Sequence, residues 1–110
     1  MDPTDSALAT PAYSVTPVDA SGFRLLQNYL ARRRRDVAVF REALEREDYA
    51  VIRRMGHNLR GSGASYDLVR ISTLGAEIER AGERRATAQL ARAVADFEQF
   101  VNSVIIVEPT

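Results

Sequence analysis

The chain is 110 residues long, enough for one domain built around one hydrophobic core. Its fifteen basic residues, all arginine, balance fifteen acidic ones, so bulk charge points neither to nucleic acid nor to an anionic membrane surface. Cysteine is absent, which excludes disulfides, thiol chemistry and cysteine zinc sites.

No apolar run approaches the ~18 residues of a membrane span. The opening residues lack a secretory pattern, and the expectation is a soluble, cytoplasmic protein. Residues 1–16 contain Pro3 and Pro11 among Ser, Thr and Ala, and read as a flexible N-terminal arm whose Tyr13 and Val15 can tack its end onto the rest. A helical domain is expected over 17–107, with 108–110 as a tail. Asp19 or Ser21 can cap a long first helix. Phe23, Leu26, Leu30, Val37, Phe40 and Leu44 form its apolar stripe, which Arg33 interrupts, leaving one helix or two abutting ones.

Glu47-Asp48 marks a turn, with Asp48 placed to cap a second helix over about Tyr49 to Gly63. A tight connection through Ser65-Tyr66-Asp67 leads to a third helix with Leu68, Ile71, Leu74 and Ile78 inward, ended by Gly82. The fourth runs from about Arg84 to Val104 on Leu90, Val94, Phe97, Val101 and Val104. Ile105-Ile106-Val107 is expected to pack back as an extended segment. These stripes can bury themselves only against one another, and short loops favour antiparallel neighbours. The fold expected is all-α, an antiparallel up-down four-helix bundle with a short N-terminal arm.

His57 is the only histidine. At about 100° per residue it lies roughly 140–160° around the helix from Ile52 and Leu59, so it points away from the core. Its helical neighbours are Arg53, Arg54, Arg60, Gly61 and Ala64, up to three guanidinium groups and two small residues around one imidazole. Gly56, Gly61 and Gly63 fall within eight residues, each costing a helix interior about 0.8–1 kcal/mol relative to alanine. Glycine suits a place where a backbone or ligand comes close, and Gly61 shares the histidine's face; Gly63 also reads as helix-end punctuation.

The run His57-x-x-Arg60-Gly61-Ser62-Gly63-Ala64 resembles the core of histidine phosphotransfer (HPt) domains. Flanking segments extend the resemblance over roughly residues 18–104. Upstream are Tyr29-Leu30-x-x-Arg33, Asp36-Val37 and Ala43-Leu44-x-x-x-Asp48, and downstream is Ile71-x-x-Leu74-Gly75-x-x-Ile78-Glu79. The family more often has lysine where Arg60 stands. Tyr66-Asp67 replaces a common Tyr-Gly. The resemblance implies a phosphocarrier rather than an independently active enzyme, relaying a phosphoryl group between His57 and the aspartate of response-regulator receiver domains, with a hybrid histidine kinase as a further partner.

Imidazole is a competent nucleophile that is partly neutral near pH 7. Phosphoryl transfer needs alignment and charge neutralisation more than covalent help. Arg60 is the expected phosphoryl-stabilising cation, and Arg53, Arg54, Gly61 and Ala64 the partner-contacting residues. No phosphate-binding loop or kinase signature is present, so no cofactor or metal of its own is expected, and Mg2+ should sit on the receiver. Ser62 and Ser65 read as local hydrogen-bonding residues. Arg32-Arg33-Arg34-Arg35 spreads over about 300° of a helix and reads as a solvated, ion-paired segment. Glu77 and Glu79, on different faces, give no carboxylate dyad and no metal site. A helical adaptor or dimerisation module is the alternative, its weakness being the glycine cost beside the ring. The dimerisation-phosphotransfer region of a sensor kinase is a third reading; it predicts a dimer, whereas an HPt bundle is expected as a monomer.

Overall fold

The computed structural model describes residues 12–110, so most of the expected N-terminal arm lies outside the described residues. Four helices follow in order: α1 (Ala20–Glu45), α2 (Tyr49–Ser62), α3 (Val69–Glu83) and α4 (Thr87–Ser103), with a 3-10 turn (Gly63–Tyr66) between α2 and α3. Asp19 rather than Ser21 caps α1, its carboxylate accepting from Gly22 N at 2.7 Å. Asp48 caps α2 through Val51 N at 3.3 Å. The last two helices start later than expected, at Val69 and Thr87.

The first helix is continuous. Its apolar stripe is bridged at Arg33, whose Nε donates to Asp36 Oδ2 at 2.7 Å and whose guanidinium lies 4.7 Å over the Tyr29 ring. Tyr29, absent from the expected stripe, is a core residue. It stacks on Tyr66 with ring centroids 4.0 Å apart, and its hydroxyl is 2.7 Å from Ser62 Oγ, which meets its polar need. Phe23 and Leu44, by contrast, are only partly buried.

The bundle runs up and down. Along α1 and α4, Phe40 meets Phe97 edge-on at 5.6 Å, Arg41 pairs with Glu98, and Arg34 Nε donates to Val101 O at 3.1 Å. From Arg34–Val101 to Phe40–Phe97 the residue numbers rise on α1 as they fall on α4, so the pair is antiparallel. Ile52, Leu68, Ile71, Leu74, Ile78, Leu90 and Val94 fill the centre, and no charged or polar residue is fully buried there among the described residues.

Three of the connections close alike. Glu47, Asp67 and Arg85 take left-handed backbone at φ 55°, 59° and 52°. At each, two backbone bonds fold the chain over the preceding turn, as in Asp67 N to Ala64 O at 3.1 Å and Leu68 N to Gly63 O at 3.0 Å. Gly82 is therefore not the glycine that stops α3. It sits inside the last turn, where a Cβ would come 3.5 Å from the Arg53 backbone, and Arg85 holds the left-handed position instead. Asp67 adopts the conformation that a glycine would take there, and its carbonyl accepts from Tyr13 Oη at 3.1 Å.

The extended ends meet. β1 (Tyr13–Val15) pairs in parallel with β2 (Val104–Ile106), Tyr13 opposite Val104 and Val15 opposite Ile106. Tyr13 packs on Phe100 at 5.5 Å, and Arg34 Nη2 reaches Val104 O at 3.4 Å. The arginine run thus divides: Arg33 forms an ion pair, Arg34 satisfies carbonyls at the end of α4, and Arg32 and Arg35 face solvent.

Candidate functional site

The site is built where α2 and α3 touch backbone to backbone. A Cβ on Gly56 would lie 2.8 Å from Glu79 N and 2.9 Å from Gly75 O; one on Gly75 would lie 2.5 Å from Arg60 N and 2.7 Å from Gly56 O. One turn on, a Cβ on Gly63 would lie 2.6 Å from Ser72 N, and Ser72 Oγ accepts from Ala64 N at 2.8 Å. Gly56 and Gly63 thus serve helix packing rather than the ring, and Gly63 is also the C-cap of α2, with helical backbone at φ −55°. Only Gly61 has the open face expected of a residue beside an accessible histidine: a Cβ there meets nothing within 4 Å.

This close approach delivers Glu79 to the residue after Gly56. The His57 side chain is 59% exposed, and its Nδ1 lies 2.9 Å from Glu79 Oε2. Arg60 Nη2 lies 3.1 Å from the same Nδ1, while its Nη1 is 3.2 Å from Glu79 Oε1. One guanidinium fork spans carboxylate and imidazole. Among the described residues nothing hydrogen-bonds Nε2, so that nitrogen is open to a reacting group.

Of the residues expected around the ring, the structure brings Arg60 into contact and leaves Gly61 and Ala64 exposed beside it. Arg53 and Arg54 are exposed one turn earlier, and neither bonds to His57, Arg60 or Glu79 among the described residues. Ser62 is tied to Tyr29, in keeping with a local role.

Glu79 is the residue that sequence reasoning missed. Considered only against Glu77, it offered no dyad, and no group of three or more potential metal ligands occurs among the described residues. The available signal was its spacing: Gly75 and Glu79 are one turn apart on a single face of α3, as Gly56 and Arg60 are on α2. Two helices that meet at small residues bring the side chains flanking the contact together.

An exposed imidazole held through one nitrogen, on a helix of an antiparallel bundle, defines a class of helical proteins that present a histidine to other molecules. The Hpt domain family matches the chain over residues 24–104, and the chain belongs to that family. Membership implies histidine phosphotransfer in phosphorelays, in which Hpt domains act as phosphocarriers that interact with receiver domains and kinases. No curated protein and no solved structure matches the chain significantly. No helix among the described residues is long and apolar enough to cross a membrane.

Proposed function

We propose that this chain is a histidine-containing phosphocarrier of a two-component phosphorelay, with His57 exchanging a phosphoryl group with the aspartate of response-regulator receiver domains. The observation that carries the reading is the exposed His57 ring, anchored at Nδ1 by Glu79 and Arg60 and open at Nε2. An imidazole so held has one nitrogen aimed at solvent, as an in-line transfer between two proteins requires. Arg60 is the cation nearest the arriving phosphoryl oxygens. Gly61 and Ala64 leave room for the receiver's surface to approach, and Arg53 and Arg54 extend a positive margin along the same exposed helix.

The chain contributes an acceptor and a cation and leaves the rest to its partner. Mg2+ and the carboxylate that gives or takes the phosphoryl group belong to the receiver, and no cofactor is required on this side. The protein works as a cytoplasmic monomer without catalysis of its own; a stable dimer in sedimentation experiments would favour a kinase dimerisation region instead. The adaptor alternative loses less to the glycine argument than the sequence suggested, since Gly56 and Gly63 serve packing in any bundle. What separates the two readings is the histidine cluster itself.

The test is to incubate the purified protein with a phosphorylated receiver domain and magnesium, and to look for acid-labile, base-stable label. Label on the wild type and none on His57→Gln supports the reading. A folded protein that takes no label from several receivers would return the chain to the adaptor class.

A further inference from the structure

The face of α3 turned away from the histidine carries a second cluster of charge. At about 100° per residue, Glu77 and Ala81 lie about 160° around the helix from Glu79, and Arg80 about 100° from it. These three residues line one side of an open cleft of about 490 Å³, and Gln89, Arg92 and Asp96 of α4 line the other. Arg84, just past the end of α3, stands where the two helices are joined. Ala81 and Ala93, both core residues, form the floor. Side chains this short leave the space between the helices unfilled.

A three-residue connection joins α3 to α4, so distance from that connection orders the charged groups. Arg84 comes first, then Arg80 and Arg92, then Glu77 and last Asp96. Three cations thus occupy one end of the cleft and two carboxylates the other. Among the described residues none of the five side chains has an ion pair or a hydrogen bond. Arg33, Arg41, Arg46 and Arg60, by contrast, each meet a carboxylate.

We propose that the α3–α4 cleft is a docking site for an acidic segment of a partner protein, an extended peptide whose carboxylates meet Arg80, Arg84 and Arg92 and whose basic residue meets Glu77 and Asp96. A guanidinium fork matches a carboxylate with two parallel hydrogen bonds, so an acidic peptide uses what these arginines offer. The seven residues from Arg84 to Glu77 span about 10 Å of helix, the reach of about three residues of extended chain. The basic residue therefore belongs about three positions beyond the last acidic one.

The walls argue against a small ligand. Sites that enclose small molecules are mostly apolar and aromatic, and no aromatic side chain lines this cleft among the described residues. Exposed charges of this kind set register and speed encounter more than they add affinity. Weak, rapidly exchanging binding is what a tether needs.

That use as a tether rests on the phosphocarrier reading; the docking does not. A receiver seated over His57, Gly61 and Ala64 leaves the cleft uncovered, because the two faces of α3 point apart. A partner held there by its acidic segment would present its receiver to His57 at an effective concentration of about millimolar, as a short flexible linker does.

The docking is measured without phosphate or receiver. The probe is the blocked peptide Glu-Glu-Glu-Ala-Ala-Lys, titrated into the 15N-labelled full chain at low salt. Saturable shifts should fall on the backbone amides of Arg80, Arg84, Ala88, Gln89 and Arg92. Arg80→Ser and Arg92→Ser should each weaken binding about two- to fivefold. Salt at about 0.3 M should weaken it further, since exposed charges are screened. Glu77→Gln with Asp96→Asn should remove the advantage of this peptide over one with alanine in place of lysine. All four positions are exposed or half-exposed, and the amide spectra report that each variant is folded.

Shifts spread equally over Arg32, Arg35, Arg53 and Arg54 would overturn the proposal, as would binding unaltered in both arginine variants. Pyrophosphate that moves the cleft amides as strongly as the peptide at equal concentration would assign the cleft to a small anion instead. Shifts at the same amides that grow with protein concentration alone would assign it to a second copy of the chain. Labelling of His57 by a phosphorylated, isolated receiver domain should proceed at the same rate with the peptide bound; a peptide that blocks labelling would overturn the separation of the two faces. The two readings fail separately. A peptide seated in the cleft of a protein that no receiver labels sinks the phosphocarrier and leaves the docking standing, whereas a labelled protein whose cleft takes no peptide sinks the docking alone.

Discussion

A Cβ added at Gly61 meets nothing within 4 Å, whereas one added at Gly56 lands 2.8 Å from a backbone nitrogen of the neighbouring helix. Substitutions at the two positions should therefore part company. Gly61→Leu should leave the helical circular dichroism intact and raise the melting temperature if anything, while abolishing transfer from a phosphorylated receiver, because the added side chain occupies the space beside the ring. Unchanged transfer in that folded protein would remove the steric role given to Gly61. Gly56→Ala should destabilise the bundle by about 1–3 kcal/mol in urea unfolding, since backbone rather than a flexible side chain stands in the way. The direction of His57 away from the core was readable from its register. The separate purposes of the three glycines were not, because register places a residue on its own helix and says nothing of what lies opposite. Glu79 was missed for the same reason: it is 22 residues from His57 in the chain and 2.9 Å from it in space.

At the scale of the element, helix starts were legible where a side chain caps them, and the residues that close the helices were not. Asp19 and Asp48 cap as their side chains allow. The stops depend on backbone conformation, and this chain places Glu47, Asp67 and Arg85 where glycine is usual. A left-handed residue with a Cβ costs about 1–2 kcal/mol, against which the greater freedom of glycine in the unfolded chain returns about 0.4–1 kcal/mol. Glu47→Gly should therefore stabilise the protein by roughly 0.5–1 kcal/mol in denaturant melts. Asp67→Gly should give less, because aspartate tolerates this region better than glutamate does. A loss of stability at position 47 would contradict this account of the turns. Gly82 shows how the expectation went astray: a glycine near a helix end looks like a terminator, and here it lies inside the last turn while Arg85 takes the left-handed position.

For the whole molecule, the ion pair at the break in the α1 stripe links packing to pH. Burial raises the Asp36 carboxyl above its ordinary 3.8, with Arg33 and more weakly Arg35 and Arg32 pulling it back. The folded state thus keeps this proton to higher pH than the unfolded chain does. Between the ordinary and the raised value the folded state binds more protons, so the contribution of Asp36 to stability falls as pH rises through that window and is constant above it. Melting temperatures of wild type and Asp36→Asn, compared from about pH 3.5 upward, should show the variant gaining on wild type through the window and then running parallel. A variant that instead loses ground as pH rises would mean that the arginines outweigh burial.

Four helices, their order and the outward histidine follow from the sequence alone, because a period of 3.6 residues and a capping side chain are local properties. The pairing of Tyr13–Val15 with Val104–Ile106 was anticipated only as two segments that each pack back on the bundle. That they join in one parallel sheet depends on both segments reaching the same edge of the bundle. The Glu79–His57–Arg60 cluster depends likewise on how far α2 and α3 can approach, which glycines on both helices set together. The sequence by itself determined which face each helix buries and which residue it offers to solvent; only the tertiary structure decided which nitrogen of His57 is held and which is free, because that rests on a contact between helices that no local pattern encodes.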